Sequence, residues 1–321
     1  MDLIYTNPAR EDMGILLDYD LDLAFGDDEN NFECTVAASA HCCEPGSFLY
    51  FEGTEYGGII DAIHSKSDTK EVVYSGRTWH GILDSKVIEP DSGAAYLFCS
   101  GEANAVIANL LSRLALTDMF EASSDDSGIT ISNYKMNRYI SGYDGIAKML
   151  SSADAKLQIT FQDGKAILSA VAKYDYSQDE EFDSDLVSLD IKKQFKTVNH
   201  LVCLGSGELE NRMVIHLYAD KEGKVSQTQT QFGMDEIMAV HDYSNVESED
   251  ELISSGKEKL QSLCEPVSLS VDFDGTSDSY DVGDIVGAID NITGISASAV
   301  IVKKIVTIKN GQITISYKVG E

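Results

Sequence analysis

At 321 residues the chain is too long for one small core and suggests two or three packed units of ordinary domain size. It carries 54 acidic and 24 basic residues, a formal net charge of −30, and its only basic clusters are Lys192-Lys193 and Lys303-Lys304. Binding to a phosphate backbone requires clustered lysine and arginine, so this composition argues against a nucleic-acid-binding protein. No apolar run reaches the roughly 18 residues of a membrane span, and acids within the first dozen residues argue against a secretory signal peptide.

The first third of the chain has the pattern of short strands. Apolar and polar residues alternate in runs over 17–26, 30–39, 47–53, 55–65 and 70–79. Turn-forming residues separate these runs, including Gly26-Asp27-Asp28 and Glu44-Pro45-Gly46. Several short strands at this spacing predict a small barrel or sandwich.

The pattern becomes helical near Ser100. Apolar residues recur at helical spacing over 102–117 and again over 142–152, with strand-like runs between and after them. Asp163-Gly164 is the strongest hairpin signal in the chain. An acidic stretch without aliphatic residues, 174–185, follows and predicts a linker or an exposed loop. We therefore expect an inserted α/β unit over 98–187.

Strands return after Asp185. A third helix is predicted at about 246–264, where Ser248 followed by Asp250 and Glu251 has the pattern of a helix N-terminus. A second hairpin is predicted at Asn310-Gly311. The expected fold is mainly β with α+β insertions. Its predicted domains are 1–97, a first β-barrel; 98–187, the insert; and 188–321, a second β-barrel that includes the third helix.

The residue pattern contains no specific catalytic constellation. The six histidines have no pair at metal-ligand spacing, and the six cysteines lack a Cys-x-x-Cys pair. We expect Cys42 and Cys43 to bind no zinc and to form no bridge that folding needs. Asp272-Phe273-Asp274-Gly275 is part of a calcium-loop pattern only, and it favours a turn. The prediction is a protein that is not an enzyme, with no catalytic residue, no cofactor and no metal.

Four blocks of sequence carry a resemblance to a known family. The blocks are Glu55-Tyr56-Gly57-Gly58-Ile59-Ile60, Gly76-Arg77-Thr78-Trp79-His80-Gly81-Ile82-Leu83 with Lys86-Val87-Ile88-Glu89-Pro90, Val198–Arg212, and Tyr280-Asp281-Val282-Gly283-Asp284-Ile285-Val286. In this order they resemble siphophage and prophage tail proteins of the tail-hub type. These are relatives of the baseplate-hub proteins of contractile phages and of the N-terminal hub part of tail-associated lysins.

The resemblance implies two small β-barrel domains of tail-hub type with an inserted α/β unit. It also implies a homotrimeric ring that joins the tail tube to the tip and lets DNA pass without specific binding. The implied partners are other copies of the chain and the distal tail, tape-measure and tip proteins. The implied location is the virion tail, after synthesis in the cytoplasm of the host bacterium.

Tyr56, Arg77 and Trp79 are the candidate interface residues. Two of the three also have a structural interpretation: Trp79 as core or interface packing, and Arg77 as the partner of an acid such as Glu55 on a neighbouring strand. The alternative function is a prophage tail endopeptidase or other cell-wall hydrolase. A carbohydrate-binding barrel is a third possibility, although a single tryptophan argues against it.

Overall fold

The computed structural model describes residues 2–178, 181–183, 188–193, 197–221, 223–246, 248–264, 267–275 and 280–320. The chain forms two compact units, one made of residues 1–189 and 270–321 and the other of residues 190–269. Strands account for 46% of the chain and helices for 19%, which confirms the prediction of a mainly β protein.

The α-helices are α1 (Trp79–Asp84), α2 (Ala103–Arg113), α3 (Gly142–Ser151) and α4 (Glu249–Cys264). The strands are β1 (Leu3–Thr6), β2 (Asp12–Leu16), β3 (Asp20–Gly26), β4 (Asn31–Ala37), β5 (Phe48–Tyr50), β6 (Gly57–Lys66), β7 (Glu71–Thr78), β8 (Val87–Ile88), β9 (Leu97–Glu102), β10 (Phe120–Ala122), β11 (Thr130–Met136), β12 (Ile140–Ser141), β13 (Ala155–Gln162), β14 (Lys165–Ala172), β15 (Glu181–Asp183), β16 (Ser188–Lys193), β17 (His200–Leu204), β18 (Val214–Ala219), β19 (Val225–Ser226), β20 (Met238–Asp242), β21 (Val267–Gly275), β22 (Ile285–Asp290), β23 (Ile295–Lys309) and β24 (Gln312–Gly320).

The main sheet of the larger unit joins the two ends of the chain. Neighbouring strands in it include the series β21-β24-β23-β3-β4-β7-β6-β5-β1-β2, and β22 also pairs with β23. The long strand β23 pairs antiparallel with β3, and Val306 lies opposite Leu23. At the start of β3, Asp20 and Asp22 are exposed while Leu21 and Leu23 are buried, which is the alternation of a strand with one covered face.

Helices α2 and α3 and the Asp163-Gly164 hairpin form at the positions predicted for them within the insert. Helices α2 and α3 contribute buried aliphatic residues to one core with β13 and β14. The Glu102 carboxylate caps α2 by accepting from two backbone N–H groups, and the Ser141 hydroxyl caps α3. Asp163 and Gly164 both adopt positive φ at the turn between β13 and β14, as a two-residue hairpin loop requires. These predictions are confirmed, as is the Asn310-Gly311 hairpin between β23 and β24.

The strand predicted over 70–79 is confirmed over Glu71–Thr78, but the short helix after it was not predicted: the Thr78 hydroxyl accepts from the Gly81 N–H and begins α1. One local expectation was wrong. The Asp272–Gly275 stretch, expected to be a turn, forms the end of β21 and pairs antiparallel with β24. There the alternation of Val271 and Phe273 with polar residues outweighs the turn preference of Asp and Gly.

The smaller unit is a four-stranded sheet, in the order β19-β18-β17-β20, with helix α4 packed against it. Leu252 and Leu260 of α4 are buried in one cluster with Leu201 of β17 and Leu217 of β18. Helix α4 confirms the helix predicted at about 246–264. Two expectations stay predictions. They are the domain boundaries at 97/98 and 187/188, and the closure of the strands of the first and the last predicted domain into β-barrels.

Candidate functional site

The structure places the three candidate interface residues in different environments. Trp79 is fully buried, and its ring stacks on Phe161 of β13 with centroids 4.5 Å apart and planes 9° from parallel. Tyr56 is 3% exposed. Only the Arg77 side chain of the three reaches solvent, with 42% of it exposed. Trp79 therefore packs the main sheet against the insert, as the core interpretation of this residue expects.

The glycines of the first resemblance block allow the second block to pack closely on it. A Cβ atom at Gly58 would lie 2.1 Å from the Arg77 carbonyl oxygen, and one at Gly57 would lie 2.8 Å from Cζ2 of Trp79. Such separations are well inside van der Waals contact, so any side chain at either position would force the strands apart. The two blocks are thus one structural unit, formed by the neighbouring strands β6 and β7.

Arg77 makes a planar, two-point ion pair with Asp61 on the neighbouring strand. Its Nε and Nη2 atoms each lie 2.8 Å from a different carboxylate oxygen, and Nη1 donates to the Ser85 hydroxyl at 3.0 Å. Hydrogen bonding from Arg77 holds the pKa of Asp61 below its usual value. The prediction that Arg77 pairs with an acid across the sheet is confirmed, but the partner is Asp61 and not Glu55.

A buried charge cluster lies beside this region, and its first part is built on Lys156 of β13. The ammonium of Lys156 lies 2.7 Å from Asp281 and 2.7 Å from Asp284. The second Asp284 oxygen accepts from the Tyr174 backbone N–H at 2.9 Å. Burial alone would lower the pKa of Lys156, but its hydrogen bonds to the two carboxylates raise it above the usual value. Lys156 therefore stays charged inside the protein.

The second part of the cluster is built on Lys304 of β23. Its ammonium lies 2.9 Å from the Glu55 carboxylate and 3.6 Å from Asp281, so Asp281 lies between the two lysines. The ring centroids of Tyr56 and Tyr317 lie 5.3 Å and 5.8 Å from the same ammonium, within cation–π range. The cluster thus joins the first block, through Glu55 and Tyr56, to the last block, through Asp281 and Asp284.

Sequence reasoning missed both lysines of this cluster. Lys303-Lys304 was noted only as a basic cluster, but the structure leaves Lys303 4% and Lys304 1% exposed. One feature of the sequence indicated a buried cation. Asp281 and Asp284 of the last block have the spacing Asp-x-x-Asp, which lets both carboxylates contact one lysine ammonium. Without the fold, nothing in the chain identifies Lys156 or Lys304 as the partner.

The third block lies in the smaller unit and contains His200, which is paired with His216 of β18. Nε2 of His200 lies 2.7 Å from Nδ1 of His216, and Nδ1 of His200 lies 2.6 Å from the Glu236 carboxylate. At the end of the block, Arg212 pairs with Asp242 of β20. The histidine pair links strand β17 to β18, and Arg212 links the loop before β18 to the end of β20.

The structure also locates the adjacent cysteines. The sulfur atoms of Cys42 and Cys43 are 3.8 Å apart, and both cysteines are free. In the described ranges, no three or more His, Cys, Asp or Glu side chains are grouped so that they could hold a metal ion. None of the helices within those ranges has both the length and the apolar content that a bilayer span requires.

Three solved structures resemble this chain along nearly its whole length. The 43 kDa tail protein of prophage MuSo2 from Shewanella oneidensis is 11% identical, with a TM-score of 0.58 over 99% of this chain and 98% of that one. A prophage tail protein from Listeria monocytogenes is 14% identical, with a TM-score of 0.56 over 99% and 94%. A tail protein from Neisseria meningitidis is 13% identical, with a TM-score of 0.54 over 96% and 94%. The chain has a prophage tail-protein fold.

The resemblance read from the four sequence blocks is confirmed at the level of this tail-protein fold. No family model and no curated protein matches the sequence. At identities of 11–14%, the likeness to these three structures is one of fold.

Proposed function

We propose that this chain is a structural subunit of a phage or prophage tail tip, the hub that joins the tail tube to the tip. The observation that carries the proposal is the shared fold with the tail proteins over 96–99% of the chain. Because the likeness extends from the first strand to the last, the whole chain is accounted for by this architecture.

The hub acts as a homotrimeric ring, in which two barrel-like parts from each of three copies give approximate sixfold symmetry. A closed ring of identical chains needs two different contact surfaces on each copy. Of the candidate interface residues, Arg77 has the exposed side chain, whereas Tyr56 and Trp79 are buried within the protomer. Distal tail, tape-measure and tip proteins are the further partners, and the location is the virion tail.

The charge of the chain supports a passage for DNA without specific binding. The formal net charge is −30. Three of the lysines, Lys156, Lys303 and Lys304, are buried beside carboxylates, so they present little positive charge to solvent. An acidic inner wall repels phosphates and leaves the duplex free to slide.

The test is to image the protein within an assembled tail. A tail complex carrying this chain with a gold-binding or antibody tag should show label at the tip, and reconstruction should show a threefold ring with an acidic lumen. A label on peripheral fibres, or a ring whose lumen is mainly basic, contradicts the hub assignment. Incubation with purified peptidoglycan is the companion assay, because release of soluble fragments would favour the cell-wall hydrolase.

A further inference from the structure

One end of the main sheet carries an exposed apolar edge. Strand β2 is the last strand in the path, and in the part of the chain that the structure describes no strand pairs with its outer side. Met13 and Ile15 of β2 and Leu17 just beyond it alternate along the chain and are 58%, 47% and 86% exposed. An edge of this kind, with unpaired backbone groups and apolar side chains on one face, is a template for another strand.

An open cleft of about 610 Å³ adjoins this edge. Ile15 and Leu17 line one side of it, and Ile313 of β24, which is 50% exposed, lines another. The acids of the lining are Asp2, Asp18, Asp20 and Glu71, against one lysine, Lys70. The backbone N–H of Asn310 donates to Asp20 at 3.3 Å, which ties the β23–β24 turn to this rim. The surface therefore combines aliphatic contacts with an excess of negative charge.

We infer that the outer edge of β2 and this cleft bind an extended segment of a different protein, one whose aliphatic residues are flanked by lysine or arginine. The segment adds to β2 as a further strand through backbone hydrogen bonds. Its aliphatic side chains lie beside Met13, Ile15 and Leu17, and its basic ends meet the acidic rim at Asp18.

Charge decides against a second copy of this chain as the occupant. The chain has more than twice as many acids as bases, so a second copy brings further acids to an acidic rim. Of the two lysine pairs in the sequence, Lys303-Lys304 is buried within the protomer. A partner with basic flanks gains from the same rim.

The test uses the full chain and a labelled nine-residue peptide, Lys-Lys-Val-Thr-Val-Thr-Val-Lys-Lys, followed by fluorescence anisotropy. A control peptide with proline in place of both threonines keeps the charge and the valines but removes N–H donors and disfavours strand pairing. We expect the control to bind at least about tenfold more weakly. The same loss is expected for Leu17→Lys and for the Ile15→Lys/Leu17→Lys double variant. Val87→Lys, a matched change at a valine that is 50% exposed elsewhere in the same unit, should bind as the wild type does.

The outcomes separate the possible occupants. Equal affinity for the two peptides shows attraction by charge alone and overturns the inference, as does the absence of binding to either. Self-association of the protein without peptide, abolished by Leu17→Lys, identifies a second copy as the occupant and also overturns it. Asp18→Asn should weaken binding and reduce its salt dependence, since Asp18 belongs to the rim. None of these results depends on the tail assignment.

Discussion

The ammonium of Lys304 lies 2.9 Å from the carboxylate of Glu55, although 249 positions of the chain separate the two residues. Through Asp281 the same cluster continues to Lys156 of the insert. The first block, the insert and the last strands are therefore joined by one set of buried charges. A buried ion pair adds little net stability compared with a well-packed apolar pair, but breaking it by removing one partner is costly.

Replacement of Lys156 by methionine should destabilise the protein by about 3 kcal/mol, because it leaves the buried Asp284 carboxylate without its counter-charge. Urea unfolding at pH 7 measures the change. The matched control is Lys148→Met, which removes a solvent-exposed pair with Asp144 at 3.9 Å and should cost less than about 0.5 kcal/mol. Equal losses in the two variants would show that the buried cluster has no special role.

His80 should make stability depend on pH. Burial, assisted by the nearby charge of Lys304, lowers the pKa of His80 from 6.5 to about 3. Between these values the unfolded chain binds a proton that the folded chain does not, so stability is lost as the pH falls below about 6.5. His80→Phe should retain the stacking on Phe25 and show a smaller drop in Tm between pH 7 and pH 5.

The control for that experiment is His64→Phe. His64 is exposed, so this variant should keep the pH dependence of the wild type. A drop in Tm that is identical in His80→Phe and in the wild type would exclude His80 as its source.

Trp79, the only tryptophan, should report its own burial by fluorescence. Because it is fully buried within the protomer, its emission should be blue-shifted, resistant to iodide quenching and independent of protein concentration. A red shift on dilution would mean that another subunit covers it. Trp79→Ala should cost about 3–5 kcal/mol, since it removes the stacking partner of Phe161 and opens a cavity between sheet and insert.

The Glu102 cap should stabilise the insert in a way that depends on pH. Although desolvation opposes it, hydrogen bonding from Ser127 and from the backbone of Asn104 and Ala105 lowers the pKa of Glu102 from 4.5 to about 2. Glu102→Ala should cost about 1 kcal/mol at pH 7. The sign follows from a lowered acid pKa: the wild-type advantage is complete above about pH 4.5 and declines as the pH falls toward 2.

Thermal unfolding of the wild type and Glu102→Ala at pH 7 and pH 3.5 tests this. The control is Glu121→Gln, which affects an exposed ion pair with Lys165. Its loss of thermal stability relative to the wild type should show no comparable change between the two pH values. If Glu102→Ala loses more stability at pH 3.5 than at pH 7, the ionised Glu102 carboxylate does not act as a stabilising cap.

What the sequence could predict was local. The Asp163-Gly164 and Asn310-Gly311 hairpins depend on turn chemistry within two residues, and α2, α3 and α4 are long enough for a helical period to show. Helix α1 has six residues, less than two turns, so no period could reveal it.

The candidate site was predictable only in part, for a different reason. The resemblance identified the residues near Tyr56 and Asp281. It did not identify their lysine partners, because a lysine is ordinarily expected to be exposed. Lys304 is buried because its partners arrive from distant parts of the chain, and no local pattern encodes that meeting. The same holds for Arg77, where the partner could be guessed as an acid but not as Asp61.

The pairing of β3 with β23 has a consequence for how the chain is made. During synthesis β3 acquires β4 at once, but its other side stays open until the ribosome has delivered β23. The exposed acids Asp20 and Asp22 belong to β3, and like charges disfavour pairing of its open edge with other nascent chains. The β3–β23 pairing joins segments that are far apart in the polypeptide, the kind of contact that forms late and slowly. The main sheet is therefore completed only after β23 has been synthesised.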